Sequence, residues 1–130
     1  MNKRGRGIGL LTLKRVLILL GEMTEIYERI ETTGSLPREG IPSIRKRLRE
    51  HGIPYQTYYK ILRILLQRGI VRKVDVEEIR TLLGANWSRN KSAIMYRGMN
   101  NMHLHVLTDT GKEFKRIFDK VLHMLGIRVN

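Results

Sequence analysis

The chain has no cysteine, which excludes disulfides and thiolate zinc sites and fits a reducing, cytoplasmic setting. Long apolar runs are also missing. The most apolar stretch, Ile8 to Leu20, is interrupted by Lys14 and Arg15 and falls short of the roughly 20 residues that cross a bilayer. The basic start, Met1 to Arg6, has the charge of a signal n-region, but no small-residue cleavage site follows it. An intracellular protein with no membrane partner is expected, and Asn86-Trp87-Ser88 then carries no meaning as a glycosylation acceptor. The signatures of catalysis are absent as well. There is no glycine-rich phosphate loop, no carboxylate pair in an apolar context and no nucleophile motif. Only Glu39 and Glu50 lie within the most basic segment, too few for a nuclease, so no enzymatic activity is expected.

Metal chemistry is thin. His103 and His105 alternate along a strand and share a face, and with His51 or His123 they would supply three ligands. Two histidines without a defined third ligand are more often ordinary strand residues, so no metal or other cofactor is expected.

What the chain does have is positive charge. Twenty-five Lys and Arg face twelve Asp and Glu, a net of +13 that favours a polyanionic partner. The excess is concentrated. Arg38 to Lys73 holds ten Lys/Arg against two acids, a net of +8, while Glu22 to Glu31 holds four acids against one Arg. A basic face beside an acidic segment suggests a directed surface. The length of 130 residues suits one domain, with room for a dimerisation arm.

The most informative stretch runs from Pro42 to Val74. Ser43 is a candidate N-cap for a helix to about His51. Gly52 suits the left-handed position past a helix end, and Pro54 biases Ile53 out of the helical region. A second helix is predicted over Tyr55 to Arg68, closed by Gly69, and Ile70 to Val74 reads as a strand. Two helices joined by a tight glycine-containing turn form a helix-turn-helix unit, and a strand straight after it makes a winged one. In the second helix Tyr58, Ile61, Leu62, Leu65 and Leu66 recur at core-facing spacing. Gln56, Tyr59, Lys60, Arg63 and Gln67 share the opposite face and are residue types that contact bases and phosphates in a major groove. The first helix carries Arg45, Lys46, Arg47 and Arg49 around Ile44 and Leu48. A solvated helix pair in a small α-helical protein would also show basic faces. The turn and the following strand favour nucleic-acid binding.

The remaining elements frame this unit. Residues 1–9, with Lys3, Arg4 and Arg6, form a basic arm able to follow phosphates, though a frayed terminus reads the same. Leu10 to Thr33 is predicted helical, with Thr12 as N-cap and an apolar stripe of Leu13, Val16, Leu17, Leu20, Met23, Tyr27 and Ile30; Gly21 is a point where it could kink or split. Leu36 to Ile41 is a loop with room for a short third strand. Asp75 caps a helix Val76 to Leu83, stopped by Gly84. Ala85 to Ser92 is polar and basic around Trp87. A wing hairpin is placed at residues 93–107: strand Ala93 to Arg97, turn 98–101, return strand Met102 to Leu107, with Arg97, Asn100 and Asn101 at its tip. Thr108 caps the last helix, Asp109 complements its dipole, and Phe114, Ile117, Phe118, Val121, Leu122 and Leu125 form a stripe that folds back on the core or pairs with a second copy.

The run Leu11-Thr12-Leu13-Lys14-Arg15-Val16-Leu17, the pair ending Leu66-Gln67-Arg68-Gly69-Ile70-Val71, and Leu107-Thr108-Asp109-Thr110-Gly111-Lys112-Glu113-Phe114 follow one another in an order that resembles winged-helix transcription regulators of the PadR and MarR kind, over residues 10 to 125. The resemblance implies a second helix, Tyr55 to Arg68, in the major groove, a wing at Arg97 to Met102 on the minor groove, and dimerisation through Thr108 to Leu125. Residues 75–92 depart from that pattern.

The expected fold is mainly α with a small β-hairpin wing: a winged helix-turn-helix over residues 10–107 and a C-terminal helix over 108–130. The expected function is sequence-specific binding of double-stranded DNA by a homodimeric transcription regulator. Arg45, Lys46, Arg47, Arg49 and Lys60 would meet phosphates; Gln56, Thr57, Tyr59 and Arg63 would meet bases, with Tyr55 also in the DNA-facing helix. Three rivals remain open: an architectural or partition protein that coats DNA, an RNA- or ribosome-associated winged helix, and a protein-interaction winged helix.

Overall fold

In the computed structural model, residues 9–38, 40–87 and 103–128 are described. The apolar stripe along the first helix becomes the axis of the fold. α1 (Leu10–Thr33) is one continuous helix of 24 residues, about 36 Å long at 1.5 Å per residue. Val16, Leu17, Leu20, Met23, Tyr27 and Ile30 are buried as their spacing predicts. Leu19 and Thr24 are buried too, because neighbours cover α1 on more than one side. Two expectations fail here. The N-cap is Gly9, whose carbonyl accepts from Leu13 N at 3.0 Å, so Thr12 lies inside the first turn. Gly21 neither kinks nor splits the helix; a Cβ there would stand 3.4 Å from Lys115 Cε.

The helix pair follows: α2 (Ile44–His51) and α3 (Tyr55–Gln67). Both end in the same way. Gly52 (φ 68°) donates to Arg49 O and Ile53 to Leu48 O; Gly69 (φ 73°) donates to Leu66 O and Ile70 to Leu65 O. Each is a Schellman turn, which needs a left-handed residue at C′ and joins an apolar residue beyond the helix to one three positions before its end. At the first turn that pair is Ile53 and Leu48, both buried. The turn therefore sets the angle between α2 and α3 through the core as well as through glycine. Ser43 occupies the N-cap position of α2 but makes no side-chain cap bond.

β1 (Val71–Asp75) starts one residue later than expected, since Ile70 is used in the turn. It pairs antiparallel with β2 (His103–Leu107), with Val71 opposite Leu107 and Val74 opposite Leu104. The described sheet has these two strands only, and the described part of the 36–41 loop forms no third strand. The expected strand 93–97 and turn 98–101 lie outside the described residues; among those described, the return strand pairs with β1. α4 (Val76–Leu83) begins at Asp75, whose side chain accepts from Glu78 N, and buries Ile79 and Leu83 in the common core. A 3-10 turn (Gly84–Asn86) follows, where Asn86 Nδ2 donates to Gly34 O at 2.8 Å. The 3-10 turn is thus bolted to the end of α1.

α5 (Asp109–Met124) is capped by Thr108, whose hydroxyl accepts from Gly111 N. It runs antiparallel to α1, joined by the pairs Lys112–Glu28 and Lys14–Asp119. Its stripe divides. Leu122 is 3% exposed, and Phe114 and Phe118 pack against the core, their rings stacked at 5.9 Å. Ile117, Val121 and Leu125 face solvent, beside Met124 at 76% exposure. The whole is mainly helical with a small antiparallel sheet, an α+β arrangement. Among the described residues no helix is long and apolar enough to cross a membrane.

Candidate nucleic-acid interface

α3 separates its faces nearly as its sequence does. Tyr58, Ile61, Leu62 and Leu65 are buried; Gln56, Lys60, Arg63 and Gln67 are exposed. Leu66 is the exception on the apolar side: it is exposed, as is Ile64, because nothing described covers the last turn of α3 on that flank. Thr57 and Tyr59 are half-buried. Tyr59 packs onto the core and edge-on to Tyr58, ring centroids 5.0 Å apart, so it is less accessible than its position on the polar face suggests. Burial pushes the Tyr59 phenol up, its hydrogen bond with Tyr55 adds to this, and Arg45 opposes it. Burial likewise pushes up Tyr58.

On α2, Arg45, Lys46 and Arg49 are exposed. Arg45 reaches across to the start of α3, where its guanidinium lies 4.8 Å from the centre of the Tyr55 ring. Tyr55 in turn stands 4.7 Å from Tyr59. The outer faces of α2 and α3 therefore meet at the N-terminus of α3. Arg47 behaves differently. Its Nη1 donates to Glu50 at 3.2 Å, and its Nε lies 3.7 Å from Glu22 on α1, buried and without a hydrogen-bond acceptor. His51 also meets Glu22, at 3.2 Å. Arg47 thus faces inward and works as an anchor between α2 and α1. It lines a cleft of about 680 Å³ between these helices and the 37–42 loop, shared with Glu25, Arg29 and Lys46.

Two carboxylates of the acidic segment join helices. Glu22 takes Arg47 and His51, and Glu28 takes Lys112. These two carboxylates fasten α2 and α5 to α1. Nothing local marks Glu22 for this role, since its partners lie more than 20 residues away in sequence. A second clamp holds β1 to α4 and α1. Arg72 makes a two-pronged pair with Glu78, at 2.9 and 3.0 Å, and donates to the Tyr27 hydroxyl at 2.9 Å. Arg72 and Tyr27 together hold the Glu78 carboxyl below its usual range, Arg72 first; burial and then Glu78 push Tyr27 up to about 12.

The expected wing contacts Arg97, Asn100 and Asn101 lie outside the described residues. Among the described residues no three His, Cys, Asp or Glu side chains gather as a metal site: His51 sits on Glu22, and His123 is exposed on α5. Comparison with known proteins returns no family model, no characterised protein and no solved structure that matches this chain.

Proposed function

We propose that the protein is a DNA-binding transcription regulator that contacts duplex DNA through a winged helix-turn-helix, as a homodimer. One observation supports this most. Arg45, Lys46, Arg49 and Arg63 project from the outer faces of two helices joined by a Schellman turn, and none pairs with a carboxylate among the described residues. A cation left unpaired on a chain of net +13 gains most from phosphate, because displaced counterions drive the association. Lys46, Arg49 and Lys60 would meet the backbone; Gln56, Thr57 and Arg63 lie along the exposed side of α3, where a major groove would receive them. β1 and β2 would form the base of the wing. The solvent-facing half of the α5 stripe would form the two-fold contact.

The test is selection from random duplex DNA, followed by titration of the recovered sites in increasing salt. An inverted repeat, bound with a steep salt dependence, is the expected result. A footprint that spreads with protein concentration and no recovered motif would assign the chain to DNA coating, and a preference for RNA over duplex DNA would also overturn the proposal.

A further inference from the structure

Arginines in this fold are held in two ways. Arg72, Arg80 and Arg116 donate to the carboxylates of Glu78, Glu77 and Glu113, and Arg72 also lies over the Tyr27 ring, 5.2 Å from its centre. Arg45 is held by an aromatic ring. Its guanidinium lies over the Tyr55 ring at 4.8 Å, and no carboxylate meets it among the described residues. A guanidinium that stacks on a ring engages its π face and keeps its in-plane donors available as a fork.

The ring beneath is itself fixed. Tyr55 is 44% exposed, but it leans on Tyr59 at 4.7 Å, and Tyr59 leans on buried Tyr58 at 5.0 Å. Three rings thus run from the core to the surface and end in a charged fork at the first residue of α3. Holding the guanidinium before contact reduces the ordering cost of binding. A rigid fork suits an acceptor pair of matching geometry better than a single phosphate oxygen, for which Lys46 and Arg49 already serve. In the major groove that acceptor pair is O6 and N7 of guanine. The N-terminal residues of a recognition helix are those that approach base edges.

We propose that Arg45, pre-stacked on Tyr55, reads a guanine in the major groove, so that a residue of the first helix of the pair determines specificity. The inference rests on the DNA-binding function proposed above. It makes Tyr55 a positioning residue: the ring holds the fork and need not touch DNA.

Selection from random duplexes, run in parallel with the wild type, Arg45→Lys, Tyr55→Ala and Tyr55→Phe, tests it. The wild type should enrich a guanine at one position of each half-site. Arg45→Lys keeps the charge and loses the fork, so preference for that guanine should fall roughly 5- to 150-fold while the salt slope stays the same. Tyr55→Ala should lose the same preference, and Tyr55→Phe should keep it. Thermal melting confirms that each variant is folded. A guanine preference that survives Arg45→Lys would make Arg45 a phosphate contact, and one that survives Tyr55→Ala would remove the platform; either overturns the inference and leaves the DNA-binding function standing. A wild type that binds no duplex at all overturns both.

Discussion

A Cβ placed on Gly111 would fall 1.9 Å from the carbonyl oxygen of Ile70. The first turn of α5 is seated directly on the turn that ends α3. Thr108 makes the seat: its N–H donates to Ile70 O at 3.0 Å, and its hydroxyl donates to Gly69 O at 2.6 Å while accepting from Gly111 N at 3.0 Å. One threonine therefore caps α5 and bonds to the turn that closes α3. In an open helix interior, Gly→Ala stabilises by roughly 0.5–1 kcal/mol. Here the sign should reverse. Gly111→Ala should destabilise by about 1–3 kcal/mol, because backbone has to move to admit the methyl group. Urea denaturation of the two proteins measures it, and a more stable variant would show that the contact is not tight.

The Arg72–Glu78–Tyr27 clamp should make stability depend on pH at both ends. Glu78 is held below its usual range, so its contribution is complete above the ordinary glutamate pKa, near 4.3, and is lost as pH falls through the lower folded value. Tyr27 is pushed up to about 12, so its contribution is complete below about pH 10, the ordinary tyrosine value, and is lost as pH rises towards 12. Glu78→Gln should flatten the acid limb of a stability–pH profile, and Tyr27→Phe should reduce the alkaline loss. An acid limb unchanged by Glu78→Gln would place the acid sensitivity elsewhere.

Arg47 and Arg49 should separate cleanly. Arg47 is engaged with Glu22 and Glu50, whereas Arg49 is exposed. On the proposed function, Arg49→Ala should lower the slope of log affinity against log salt by about 0.9, the value for one lost phosphate contact. Arg47→Ala should leave that slope nearly unchanged and cost up to about 1 kcal/mol of stability, the scale of a partly exposed ion pair. Equal slope changes in the two variants would mean that Arg47 leaves Glu22 on binding.

The proposed dimer predicts opposite outcomes at neighbouring positions of α5. Val121 and Met124 face solvent, and Leu122 between them is buried. Glutamate at Val121 or Met124 should leave the circular dichroism spectrum and melting temperature intact and yield a monomer in sedimentation. Leu122→Glu should unfold the protein, since a charge without a partner would be forced into the core. A wild type that sediments as a monomer at micromolar concentration would remove the dimer from the proposal.

The sequence alone determined the elements whose signals are local. Gly52 and Pro54 mark the break between α2 and α3, because a left-handed residue and a pre-proline restriction act within a few bonds. Asp75 and Thr108 announce α4 and α5, because a cap bonds its own first turn. The apolar periodicity of α1 and α3 was legible for the same reason: it is a property of one helix.

Only the tertiary structure decided what met those faces. Periodicity cannot say that half of the α5 stripe turns inward at Leu122 while Val121 stays in water, since that depends on where α1 lies. It cannot distinguish Arg45, stacked on Tyr55, from Arg47, two residues on and pinned to Glu22. Thr12 had the right chemistry for a cap, but the carbonyl of Gly9 already closed that turn. Charge pattern, likewise, set an acidic segment beside a basic face but could not say that Glu22 and Glu28 are fastenings. These outcomes join residues far apart in the chain, Lys14 with Asp119 or Glu28 with Lys112, and an ion pair of that kind leaves no mark in the sequence around either partner.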